Sequence, residues 1–111
     1  MITADRFRSL ALALDDATEA PHMDRMAFRT PQRIFATLAA NGGDANIKLA
    51  IEQQEILSQA RSAAFAPVAG GWGKMGWTRM VLAEAAEADV VSALAGAHGI
   101  AAVKKTAKKK R

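Results

Sequence analysis

The spacing of apolar side chains changes at Pro21, and that change constrains the fold more than any other feature of the chain. Beyond it they recur every second residue. Met26 and Phe28 alternate with Arg25, Ala27 and Arg29, the pattern of a strand with one face buried and the other wet. Thr30-Pro31-Gln32-Arg33 reads as a tight turn, with proline supplying a preset φ. Ile34, Ala36 and Leu38 then alternate with Arg33, Phe35 and Thr37. Asn41-Gly42-Gly43-Asp44 is a strong hairpin signal. The return strand, Ala45 to Leu49, sets Ile47 and Leu49 inward and Asn46 and Lys48 outward. Strands joined by turns this short make an antiparallel meander. Its apolar face needs a cover of helices, and its other face would show Arg25, Arg29, Arg33 and Lys48.

The flanking segments supply that cover. Thr3 is placed to cap a first helix, with Asp5 in the turn where the helix dipole favours an acid. Phe7, Leu10, Ala11 and Leu14 repeat at i, i+3, i+4 and i+7, one apolar stripe, and Asp15-Asp16 ends it. Glu52 to Arg61 reads as a second helix, acidic at its start and basic at its end, with Ile56, Leu57 and Ala60 as its apolar face. Phe65 and Val68 belong to a fourth strand that Pro67 confines to a sheet edge. Trp77 to Leu82 reads as a fifth strand. Glu84 to Ala97 reads as a third helix with Val90, Ala93, Leu94 and Ala97 inward, ended by Gly96 and Gly99. The fold class expected is α+β: one domain over residues 1–103, an antiparallel sheet of about five strands with helices packed on one face.

Between the last two strands lies the most unusual stretch, Ala69-Gly70-Gly71-Trp72-Gly73-Lys74-Met75-Gly76-Trp77-Thr78-Arg79. It holds four of the eight glycines and both tryptophans. Read as a flexible loop with two indoles and a cation, it fits a planar anionic partner such as a nucleic acid. The competing reading is that the rings plug the edge of a small core.

The net charge of +4 is not spread evenly. Six cations lie between Lys104 and Arg111, which leaves nine basic against eleven acidic residues in 1–103. The high isoelectric point therefore belongs to a basic tail, 104–111, expected to be disordered. With no cysteine and two histidines far apart, thiolate and zinc sites are not expected, and no metal or other cofactor is implied. No apolar run approaches the ~20 residues of a membrane span. The N-terminus lacks the order of a signal peptide, so a cytoplasmic location is expected. Catalytic residues are not expected either. His22 sits near Glu19 and Asp24, but no nucleophile motif or phosphate-binding glycine motif accompanies it.

From about residue 4 to 103 the chain resembles the MmcQ/YjbR family. The resemblance rests on Leu14-Asp15-Asp16-Ala17-Thr18-Glu19, on Arg33-Ile34-Phe35-Ala36-Thr37-Leu38 after a turn, and on Lys48-Leu49 leading into a Glu-rich helix. Lys74 shortly before Trp77 and Val81-Leu82 completes it. The chain departs from the family in having Ala69-Gly70 for a Pro-Gly, Ile51 for a proline, and a loop richer in glycine and tryptophan. The resemblance implies a CyaY-like fold. It also implies a DNA-binding role, a label resting on likeness to a phage transcription factor's double-wing domain.

Two functions follow as expectations. In the first, a non-catalytic DNA-binding protein uses Arg25, Arg29, Arg33, Lys48 and Arg79 on phosphates across the sheet. Lys74 reaches a phosphate from the loop, and Trp72 and Trp77 offer stacking surfaces. That reading weakens wherever Asp24, Asp44 or Glu19 pairs with those cations. In the second, Trp72, Trp77 and Met75 form a patch for a protein or small ligand, and the cations are incidental.

Overall fold

A computed structural model describes residues 1–103. The basic tail expected from Lys104 onward lies outside the described residues. Helix α1 spans Ala4–Leu12, strand β1 Thr18–His22, β2 Arg25–Arg29, β3 Ile34–Ala39 and β4 Asp44–Lys48. Helix α2 is Ile51–Ala60, β5 is Phe65–Pro67, α3 is the one-turn helix Gly71–Lys74, β6 is Trp77–Val81, and α4 is Glu87–Ala101. The strands form one sheet in the order β1-β2-β3-β4-β6-β5, with every pairing antiparallel. The class is α+β, as expected, and the meander β2-β3-β4 stands where the alternation places it.

One face of the sheet carries the core. Phe28, Ala36, Ala45, Ile47, Met80 and Phe65 lie buried beneath the helices, where they meet Phe7 and Ala11 of α1 and Val90, Leu94 and Ala97 of α4. Phe7 and Phe28 pack edge to face at 5.9 Å, a preferred arrangement for rings that each contribute roughly 2–3 kcal/mol by burial. The Thr3 hydroxyl accepts from the Arg6 amide at 3.1 Å, the cap that its position in the sequence calls for. Two surface ion pairs pin α1: Arg6 to Glu87 of α4, and Arg8 to Glu19 of β1. In each pair the hydrogen bond from the guanidinium, more than its charge, holds the carboxyl below the ordinary carboxylate range.

Four expectations need correction. The sheet has six strands rather than about five. β1 is an edge strand, exposed along most of its length and containing Pro21, so it carries no alternation to betray it. Phe35 is fully buried rather than outward with Arg33 and Thr37. Phe28 pairs with Ala36 and Arg29 with Ile34. This bulge leaves Phe35 as the extra residue and turns it toward α4, where it meets the His98 ring edge to face at 5.6 Å. Ile56 is exposed, and the buried residues of α2 are Gln54 and Leu57. Helix α4 begins at Glu87, after a single 3-10 turn at Leu82–Glu84, and runs through Gly96 and Gly99 to Ala101. Gly96 does not end it: a Cβ there would lie 2.5 Å from Gln53 Oε1, so the missing side chain lets α2 and α4 approach.

Candidate nucleic-acid interface

Among the described residues no long helix packs across the opposite face of the sheet; α3 borders it through Trp72 and α4 through its last residues, Ile100 and Ala101. Register puts Ala27, Thr37, Asn46 and Arg79 in one row across β2, β3, β4 and β6, and sets Lys48 beside Trp77. Arg25 and Arg29 share this side, two residues either way from Ala27. The face carries two concavities with Trp77 as their common wall.

The first is a slot of about 270 Å³. Thr37, Asn46 and Trp77 line it from the sheet, Val68 and Trp72 from the β5–β6 connection, and His22, Met23, Asp24 and Arg25 from the β1–β2 hairpin. Met23 stands 92% exposed at φ 60° in the two-residue turn of that hairpin, a conformation disfavoured for a side chain of its kind. Trp72 is 62% exposed. The Asn46 amide has no hydrogen-bond partner among the described residues.

The second is a cleft of about 410 Å³ lined by Arg29, Arg33, Lys48, Gln32, Ile34, Trp77 and the end of α4. Among the described residues no carboxylate lines it, and none lies within 4.0 Å of Arg29, Arg33 or Lys48. The Arg29 guanidinium is steadied instead by the Thr30 carbonyl, 3.1 Å from Nε.

The eight residues expected to form the interface are therefore sorted rather than gathered. Arg25, Trp72 and Trp77 border the slot, and Arg29, Arg33, Lys48 and Trp77 the cleft. Arg33 precedes β3 rather than lying within it, and Lys74 and Arg79 line neither concavity. Two of the cations are engaged by a single acid. Asp44 accepts from Arg25 Nη2 at 3.1 Å and from Arg79 Nη2 at 3.2 Å, while Arg25 Nε donates to the Thr37 hydroxyl at 2.8 Å.

The segment carrying the indoles is closed on itself, not a free loop. The Val68 amide donates to the Trp77 carbonyl and the Leu49 amide to the Gly76 carbonyl, both at 2.9 Å. Gln54, reaching down from α2, donates through Nε2 to the Gly73 carbonyl at 2.9 Å and is shared between the Trp77 carbonyl at 3.2 Å and the Thr78 hydroxyl at 3.1 Å. That hydroxyl in turn donates to the Gly76 carbonyl at 2.9 Å. Gly76 holds φ +108°, and a Cβ on it would lie 2.1 Å from the Leu49 carbonyl oxygen. Gln54 was not among the expected residues. Its spacing of three from Leu57, on the same helical stripe, is the signal that places a buried amide there.

Among the described residues no helix is long and apolar enough to cross a membrane, and no group of acids and histidines is placed to hold a metal ion. No family model matches the chain, and no curated protein matches it. Solved structures do. The protein DR2400 of Deinococcus radiodurans, a DUF419 domain, superposes with a TM-score of 0.76 at 22% identity, covering 98% of this chain and 81% of that one. A protein from Pseudomonas syringae superposes with a TM-score of 0.68 at 14% identity, covering 87% of this chain and 97% of that one. DUF419 is the YjbR/MmcQ-type family. At these identities the likeness is one of fold.

Proposed function

We propose that the protein is a non-catalytic DNA-binding member of the MmcQ/YjbR type, and that it holds DNA by its phosphates at Arg29, Arg33 and Lys48. The observation that carries this reading is the cleft itself: a tri-cationic concavity on an uncovered sheet, with no carboxylate in its lining. Lys and Arg side chains neutralise nucleic-acid phosphates, and such contacts supply affinity without sequence choice. The shared fold with a DUF419 domain supports family membership.

The test is anisotropy of a labelled DNA hairpin carrying a single-stranded overhang, at ~50 and ~200 mM salt, because phosphate binding falls steeply with salt. Wild type is compared with Arg29→Ala/Lys48→Ala. The cations beyond Val103 are common to both chains, so the difference belongs to the sheet. The expected result is a loss of at least ~10-fold at low salt and a shallower salt slope, by about 2. Equal binding by the two chains rejects the reading.

Asp44 favours a second reading. By engaging Arg25 and Arg79 it offsets part of the positive charge outside the cleft, and a cleft with three cations also suits a small anionic ligand.

A further inference from the structure

The two concavities meet at one indole, and that meeting says what form of DNA the face can take. A duplex presents phosphates to any cationic surface, but its base faces are covered by neighbouring bases and its Watson–Crick edges are paired. Only an unpaired nucleotide offers a bare ring next to a phosphate. On this sheet an aromatic slot lies beside an anion cleft, with Trp77 in the wall of both.

The slot is built for a flat ring with a polar edge. Trp72 stands largely exposed over it, although an indole gains most by burial. Met23 faces it from the hairpin as an adaptable thioether wall. Its positive φ is a local cost that leaves an apolar side chain at the mouth of the slot rather than in the core. The Asn46 amide, unpartnered among the described residues, lines the same space and offers both a donor and an acceptor to a base edge. In the other concavity Arg29, Arg33 and Lys48 would meet the phosphate. From these observations we infer that the site takes an unpaired nucleotide of a DNA single strand. Its base enters the slot against Trp72 and Trp77, and its neighbouring phosphate enters the cleft. The inference rests on the DNA-binding reading and narrows it.

The experiment uses the full chain at ~200 mM salt, where nonspecific phosphate binding is suppressed. Labelled oligothymidylate of about 12 nucleotides, a site size suited to a small single-strand binder, is compared with a blunt duplex of equal length and with free thymidine monophosphate. Trp72→Ala is run beside wild type. The side chain of Trp72 is exposed, so its loss leaves the core intact, and circular dichroism confirms the fold. The single strand is expected to bind at least ~5-fold tighter than the duplex, and Trp72→Ala is expected to remove most of that margin by weakening the single strand more than the duplex. Equal affinity for single strand and duplex, unaffected by Trp72→Ala, overturns the inference and leaves DNA binding standing. Thymidine monophosphate bound as tightly as the oligonucleotide overturns it in favour of a small-ligand pocket. Binding of neither DNA form at ~200 mM salt overturns the inference, and binding of neither when the titration is repeated at ~50 mM salt overturns the DNA-binding reading with it.

Discussion

The two ends of the uncovered sheet face contain the same kind of residue and differ in what surrounds it. At one end Arg25 and Arg79 share the one carboxylate of Asp44, which offsets half of their charge. At the other, Arg29, Arg33 and Lys48 share a cleft without an acid in its lining. A cation's availability is thus set by its cross-strand neighbours rather than by its place in an alternating pattern. Trp77 stands where the two ends meet, so its position decides whether they act as one surface.

The largest effect is expected from moving that indole. Gly76→Ala forces a side chain onto the Leu49 carbonyl, at a backbone angle of +108° that alanine rarely adopts. A loss of about 3 kcal/mol, read as a lowered midpoint in urea or thermal unfolding, is the expected cost. A change below ~1 kcal/mol would mean the connection relaxes freely, and the two ends would then not be held in fixed relation. A moderate effect is expected from erasing the difference between the ends. Asp44→Asn keeps the shape of the side chain and releases Arg25 and Arg79. DNA affinity at ~50 mM salt should rise several-fold and the salt slope steepen by about 1–2. An unchanged slope would confine DNA contact to the acid-free end.

The smallest effect concerns ion pairs on the helical side of the sheet. Arg8 and Arg6 hold the Glu19 and Glu87 carboxyls below their ordinary range in the folded chain. In the unfolded chain these groups take up protons at higher pH. The stabilisation is therefore complete above the unfolded pKa and is lost as pH falls through the lowered folded value. Glu19→Gln/Glu87→Gln should flatten the fall of thermal midpoint between about pH 5 and pH 3 and leave DNA affinity at neutral pH unaltered. A change in affinity would show that these surface pairs reach the sheet face.

The meander is legible in the sequence because Met26, Phe28, Ile47 and Leu49 alternate around an Asn-Gly-Gly-Asp turn, so local pattern and tertiary burial agree. β1 is not, because an edge strand with one short covered stretch needs no alternation. Phe35 misleads because a bulge shifts the period by one residue, and nothing in Arg33-Ile34-Phe35-Ala36 marks the shift. Gly96 misleads because the same residue type serves a helix end and a close helix approach, and only the neighbouring Gln53 distinguishes them. The residue types of the candidate site are legible as cations and indoles. Their sorting is not, because it depends on the cross-strand position of Asp44 and on the reach of Gln54 from a helix distant in sequence.

The two tryptophans also make the molecule its own optical instrument. With no tyrosine in the chain, ultraviolet emission comes from two indoles in unlike surroundings: Trp72 mostly in water, Trp77 half-buried against the sheet. The first should emit at longer wavelength and quench readily with iodide or acrylamide, the second at shorter wavelength and slowly. Excitation near the red edge of the absorption band would therefore weight one wall of the slot over the other. A titration followed at two emission wavelengths would record entry into the slot and rearrangement at the shared wall as separate signals, without a label or a substitution.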